Sequence, residues 1–161
     1  MKNLQELFEH QLKDLYSAES QLLKALPKME KSAADKRLKE AFTGHLTETE
    51  QQRSRLEDIC KTLDIILGGE KCKAMEGLIK EAEDFIEEAK SDEVMNAGLI
   101  AEAQRVEHYE ILGYGTAVRY AKELGHKDIA KILQCTLDEE YIANEKLGKL
   151  AEGRLNKKAI D

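Results

Sequence analysis

The sequence predicts an all-α fold: a bundle of four long helices, with a long crossover between the second and third that contains a short extra helix. Three observations carry that expectation. Proline occurs once and glycine ten times in 161 residues otherwise rich in Leu, Ala, Glu and Lys. No sustained alternation of apolar and polar residues marks a strand, and apolar stripes recur at helical spacing. At this length a single domain over 1–161 is expected, large enough to bury a core without disulfides.

Asn3, with Glu6 three residues on, makes a capping box, and the stripe Leu4, Phe8, Leu12, Leu15, Leu22, Leu26 follows it. This gives a first helix over 4–31, with Pro27 expected to kink or end its last turn. Asp35 caps a second helix striped by Leu38, Phe42, His45, Gln52, Leu56, Ile59 and Leu63, which is expected to run until Gly68-Gly69. Residues 72–89 form a shorter amphipathic crossover helix. After Ser91-Asp92 the third helix carries Val94, Ala97, Ile100, Gln104, Ile111, Tyr114 and Val118 up to Gly125. The fourth runs from Asp128 through Ile129, Leu133, Thr136, Ala143, Leu147 and Leu150 toward a basic tail. Short first and last loops with a long middle connection are the wiring of ferritin-like bundles. Gly113 and Gly115 in mid-helix point to close helix packing.

A net charge of -7, with acids and bases interspersed, disfavours nucleic acid as a partner. No stretch approaches the roughly 20 apolar residues that span a bilayer, and no apolar run follows Met1, so a cytoplasmic location is expected. Cys60, Cys72 and Cys135 are odd in number and show no CxxC spacing, which argues against a disulfide framework, a zinc knuckle or an appended rubredoxin-type iron module. All three read as small core or boundary residues.

The informative residues are acids that fall inside the apolar stripes, because an unpaired carboxylate in a dry core costs several kcal/mol. Glu19 lies among the leucines of the first helix, and Glu48 shares a side of the second with His45 and Gln52. Glu107 interrupts the third stripe, with Glu110 one turn further on, and Glu140 stands midway between Leu133 and Leu147 on the fourth. Glu19, Glu48, Glu107 and Glu140 are each near the middle of their helix. At about 1.5 Å rise per residue they meet in one layer whichever way the helices run. So many carboxylates repel one another unless protonated or bound to cations, and two divalent ions, iron foremost or manganese, neutralise most of the charge.

The expected metal ligands are therefore Glu19, Glu48, Glu107, Glu110 and Glu140. His45, Gln52, Asn144 and Tyr16 are flanking candidates, either weak ligands or hydrogen-bonding groups that orient the carboxylates. For His45, ligation, an orienting role and a plain core position all stay open, and Tyr114 is a second candidate donor. His10, His108 and His126 read as outward-facing. The Glu-x-x-His pattern of di-iron bundles is not met: Gln51 follows Glu48 at three residues, and Ala143 and Asn144 follow Glu140.

Tyr16-Ser17-Ala18-Glu19, His45-Leu46-Thr47-Glu48-Thr49, Val106-Glu107-His108-Tyr109-Glu110, Leu137-Asp138-Glu139-Glu140 and the segment from Cys72 to Ile79 resemble the bacterial YciE/YciF family of ferritin-like stress proteins over nearly the whole chain. The resemblance implies a ferritin-like bundle related in fold to rubrerythrin and bacterioferritin, and a homodimer. Rubrerythrins carry a similar Glu-x-x-Glu pair on the third helix, matched here by Glu107 and Glu110. There one iron can move to a histidine of the second helix, a position that Gln51 occupies here.

Two functions compete on these grounds. In one, a carboxylate-rich dinuclear centre reacts with peroxide or dioxygen. In the other, a non-catalytic stress or scaffold protein holds a structural metal or none.

Overall fold

A computed structural model describes residues 1–160. Five helices form its body: α1 (Leu4–Ser32), α2 (Lys36–Thr62), α3 (Lys73–Glu88), α4 (Asp92–Glu123) and α5 (Lys127–Leu150). A wide turn over Ala151–Leu155, with Arg154 at φ 101°, leads to a last short turn, α6 (Asn156–Lys158). No strand occurs among the described residues, so the all-α bundle with its extra crossover helix is the fold.

Local chemistry sets the helix ends. The Asn3 side chain accepts from the Glu6 N–H as expected, but the Glu6 carboxylate returns to the Lys2 N–H and leaves the reciprocal half of the capping box unmade. Asp35 accepts from the N–H groups of Arg37 and Leu38, and Ser91 from that of Val94. Gly125, at φ 81°, ends α4.

The first helix keeps its expected extent to within a residue, and the end of the second moves. Pro27 does not end α1: it sits on the exposed side, while Met29 and Ala33 continue the buried stripe beyond it and hold the last turn in place. α2 stops at Thr62, well short of the glycine pair. Asp64 takes the left-handed conformation (φ 55°), which lets the Ile65 N–H close back on the Cys60 carbonyl at 2.8 Å and tucks Ile65 into the core.

α1 packs on α2 and α4, and α5 packs on α4 and α2, so the four long helices form a ring with α1 opposite α5. α4 runs antiparallel to α1: Gly113 lies against Leu15, while Asn96 accepts from the backbone N–H groups of Ala34 and Asp35. The crossover thereby makes α2 and α4 parallel. α3 covers α1 and α4, and Gly98 is what lets it approach, since a Cβ there would lie 1.9 Å from the Phe85 ring. A Cβ at Gly113 would likewise meet Leu15 at 2.8 Å, whereas Gly115 has ordinary space around it and does not serve close packing.

The apolar interior is divided in two. One core gathers Phe8, Leu12, Leu15, Leu56, Tyr114 and Leu133, among others. The second gathers Leu22, Leu26, Phe42, Leu99, Val106 and Leu147 with the inner face of α3. Between them lie Glu19, Glu107, Glu110 and Glu140, all buried.

Of the cysteines, Cys60 and Cys72 are buried as expected and Cys135 is exposed; all three are free thiols. His10 and His108 are exposed. His126 is half-buried instead, its ring stacked on Phe8 at 6.2 Å.

Candidate metal centre

α1, α4 and α5 deliver their acids to the same layer because Glu19, Glu107 and Glu140 each interrupt an apolar stripe near mid-helix, where the partner helices bury them. His45, Glu107, Glu110 and Glu140 are all buried, and one ligand atom from each lies within 4.8 Å of the others. His45 Nε2 is 3.3 Å from Glu107 Oε1, and its Nδ1 faces Glu48 at 3.6 Å. His45, left open between three roles by the sequence, thus belongs to the cluster. The imidazole missing three residues after Glu48 is supplied one turn before it, and Gln51 is exposed.

The remaining expected residues divide. Glu19 is fully buried beside the group and accepts a hydrogen bond from the Tyr114 hydroxyl. Glu48 lies at the rim with its side chain 34% exposed, less committed to the interior than its place in the predicted layer implied. Gln52 donates its amide to Glu140 and to Glu139, the latter at 3.1 Å. Arg55, which no stripe or motif marks in the sequence, clamps Glu139 through two nitrogens at 2.7 and 2.8 Å and also reaches Thr136. Two flanking candidates are corrected. The Tyr16 hydroxyl donates to Glu57 at 3.1 Å, away from the cluster, and Asn144 is engaged by Gln104 at 3.0 Å. Tyr114, not Tyr16, is the tyrosine that reaches a buried carboxylate, because its position on α4 faces α1 where the close contact at Gly113 brings the helices together.

The electrostatics favour the neutral form of most of these carboxyls. Burial pushes the Glu19, Glu107 and Glu110 carboxyls well above their ordinary range, and repulsion from one another and from Glu140 adds to it. Burial also raises Glu140, opposed by His45 and by hydrogen bonds from Glu107 and Gln52. Glu48 goes the other way: His45 beside it holds its carboxyl below the usual range, with help from Lys146. Both oxygens of Glu110, and one oxygen each of Glu19, Glu107 and Glu140, are buried without a hydrogen-bond partner, as are both nitrogens of His45. Buried polar atoms are nearly always satisfied, and several unsatisfied oxygens facing one another with an imidazole fit a divalent cation.

Fold and cluster together define a ferritin-like bundle with a carboxylate and histidine group buried at mid-height. The chain belongs to the family described as a domain of unknown function (DUF892), whose model matches residues 3–160. It is 44% identical over 160 residues to Protein YciF of Escherichia coli (strain K12), covering 99% of this chain and 96% of that protein. The crystal structure of the E. coli stress protein YciF matches with a TM-score of 0.93 over 98% of this chain and 99% of that one. YcfI of Rhodopseudomonas palustris, also 44% identical, matches at 0.89 over 92% and 94% of the two chains. A Xanthomonas campestris protein, 20% identical, shares the fold at 0.76 over 94% of this chain and 92% of its own.

Proposed function

We propose that this chain, a YciF-like stress protein, holds two divalent metal ions, iron foremost, in the layer between its two cores, and that the centre reacts with peroxide or dioxygen. The observation that carries this reading is the set of buried, unpartnered oxygens of Glu19, Glu107, Glu110 and Glu140 around His45. Glu107, Glu110, Glu140 and His45, with Glu48 beside them, would hold one ion, and Glu19 with its neighbours Glu110 and Glu140 would hold the other. A redox-active metal bound there supplies the electrons that reduce the oxidant. The chain's own part is positional. Tyr114 fixes Glu19, and Gln52 and the Arg55–Glu139 pair fix Glu140.

Anaerobic loading with ferrous iron, followed in separate runs by peroxide and by dioxygen, tests the activity. Consumption of either oxidant with a spectral change supports it; bound iron that reacts with neither leaves the protein a scaffold with a structural metal. That second reading draws on the single imidazole, His45, where di-iron bundles of the Glu-x-x-His type have two. Chelation that left the melting temperature unchanged would remove it as well.

Three free thiols and the lack of any described helix long and apolar enough to cross a membrane support a cytoplasmic setting. The groove between α4 and α5, bordered by exposed Leu112 and Tyr141, supports a homodimer. Gel filtration at about twice 18.2 kDa is the expected result.

A further inference from the structure

The carboxylate layer is reached from one side only by the residues that satisfy it and from the other by a cavity. On the side of the second core, a pocket bounded by all four long helices runs up to the layer. Its wall is Leu22, Leu26, Met29, Phe42, Val106 and Leu147, and it reaches the buried His45 and Glu107, with Glu48 at its rim. Space for water-sized molecules within it amounts to about 20 Å³. That exceeds the roughly 10–15 Å³ one water needs, and it is far below the ~150 Å³ of a cavity that takes a benzene ring. Ala41 and Lys146 line this pocket and also an open vestibule on the surface between α2 and α5, where Arg37 and Lys149 join them.

We propose that this pocket is the entry route for dioxygen, and that it discriminates against peroxide. The proposal rests on the metal-centre reading and names the oxidant that reading leaves open. Size restricts the occupant to a molecule of two or so heavy atoms. Polarity chooses between the remaining candidates. Water and hydrogen peroxide need two or more hydrogen-bonding partners at each stop, and apart from Lys146 and Glu48 the lining between Ala41 and His45 is aliphatic and aromatic carbon. Dioxygen makes no such demand.

The test reads occupancy directly on the full chain, metal-free and again saturated with redox-inert zinc. Under dioxygen pressure, paramagnetic relaxation of the methyl groups of Leu22, Leu26, Met29 and Leu147 is expected to exceed that of Leu12, Leu15 and Leu56 several-fold. Ala143→Leu, which fills the wall, should reduce the excess to the level of the first core, and Ala41→Leu should do so at the mouth should the first variant fold poorly. In the metal-free protein, peroxide should convert exposed Met1 to its sulfoxide at least ten times faster than Met29. Uniform relaxation in the two cores, or an excess that both folded variants leave intact, would overturn the route. Met29 oxidised as fast as Met1 would overturn the discrimination. Zinc that fails to bind would instead count against the metal centre, while the metal-free relaxation still reports on the route.

Discussion

The two cores on either side of the carboxylate layer are built from the same residue types yet face it differently. Toward the first core the layer is tied off: Tyr114 holds Glu19, Gln52 holds Glu140, Arg55 holds Glu139, and Leu15 presses into the space Gly113 leaves. Toward the second core the layer ends in His45 and the half-exposed Glu48, and beyond them lies the pocket. A buried polar layer therefore has a fixed side that orients its carboxylates and an accessible side through which it can be supplied. Pre-organisation and access have been assigned to opposite ends of one bundle.

That contrast can be broken most forcefully through the first core. Leu15→Ala should cost about 3 to 5 kcal/mol in denaturant unfolding, because Leu15 is fully buried where Gly113 approaches it, and the site has little freedom to collapse. Gly98→Leu, across the α3–α4 contact, should destabilise by about 2 kcal/mol or more, since even a Cβ collides with the Phe85 ring.

Glu110→Gln should separate binding from folding. It should lower affinity for divalent metal at least tenfold by calorimetry, while the metal-free protein at neutral pH melts no lower than wild type. The reason is that Glu110 contributes no stability as an ionised group. Its carboxyl, like those of Glu19 and Glu107, has a folded pKa raised above the ordinary value of 4.5. The folded protein thus retains protons that the unfolded chain releases. These groups favour the fold most below that value, and the advantage is lost as pH rises through the raised folded values. The metal-free protein should therefore lose stability from mildly acidic toward neutral pH on their account, and saturating metal should cancel the loss. Tyr114→Phe gives the smallest effect, about 1 to 2 kcal/mol, by leaving the Glu19 oxygen without its donor.

Much of this was legible in the sequence because helical periodicity places a side chain in both angle and height. Glu19, Glu107 and Glu140 stand out against leucine stripes, and their mid-helix positions bring them into one layer. The pattern fails where a helix is buried on more than one side. α4 is flanked by α1, α3 and α5, so Asn96, Gly98 and Glu102 carry no stripe to be read against. The roles of His45 and Glu48 depend on a rotation of α2 of less than a residue's width, which periodicity does not resolve. Tyr16 and Tyr114 differ in the helix each faces, and that is fixed only by the tertiary contact at Gly113. The early stop of α2 turns on Asp64 adopting a left-handed conformation, which aspartate does less often than the glycines downstream.

The central claim is that the layer between the two cores is a metal centre. Its most direct test is the number of divalent ions bound per chain, by calorimetry and elemental analysis on protein stripped and then titrated with ferrous iron or manganese. About two ions per chain are expected, bound with release of protons from the glutamates and reduced in number or affinity by Glu107→Gln. An absence of saturable binding, or binding that Glu107→Gln leaves untouched, would contradict it.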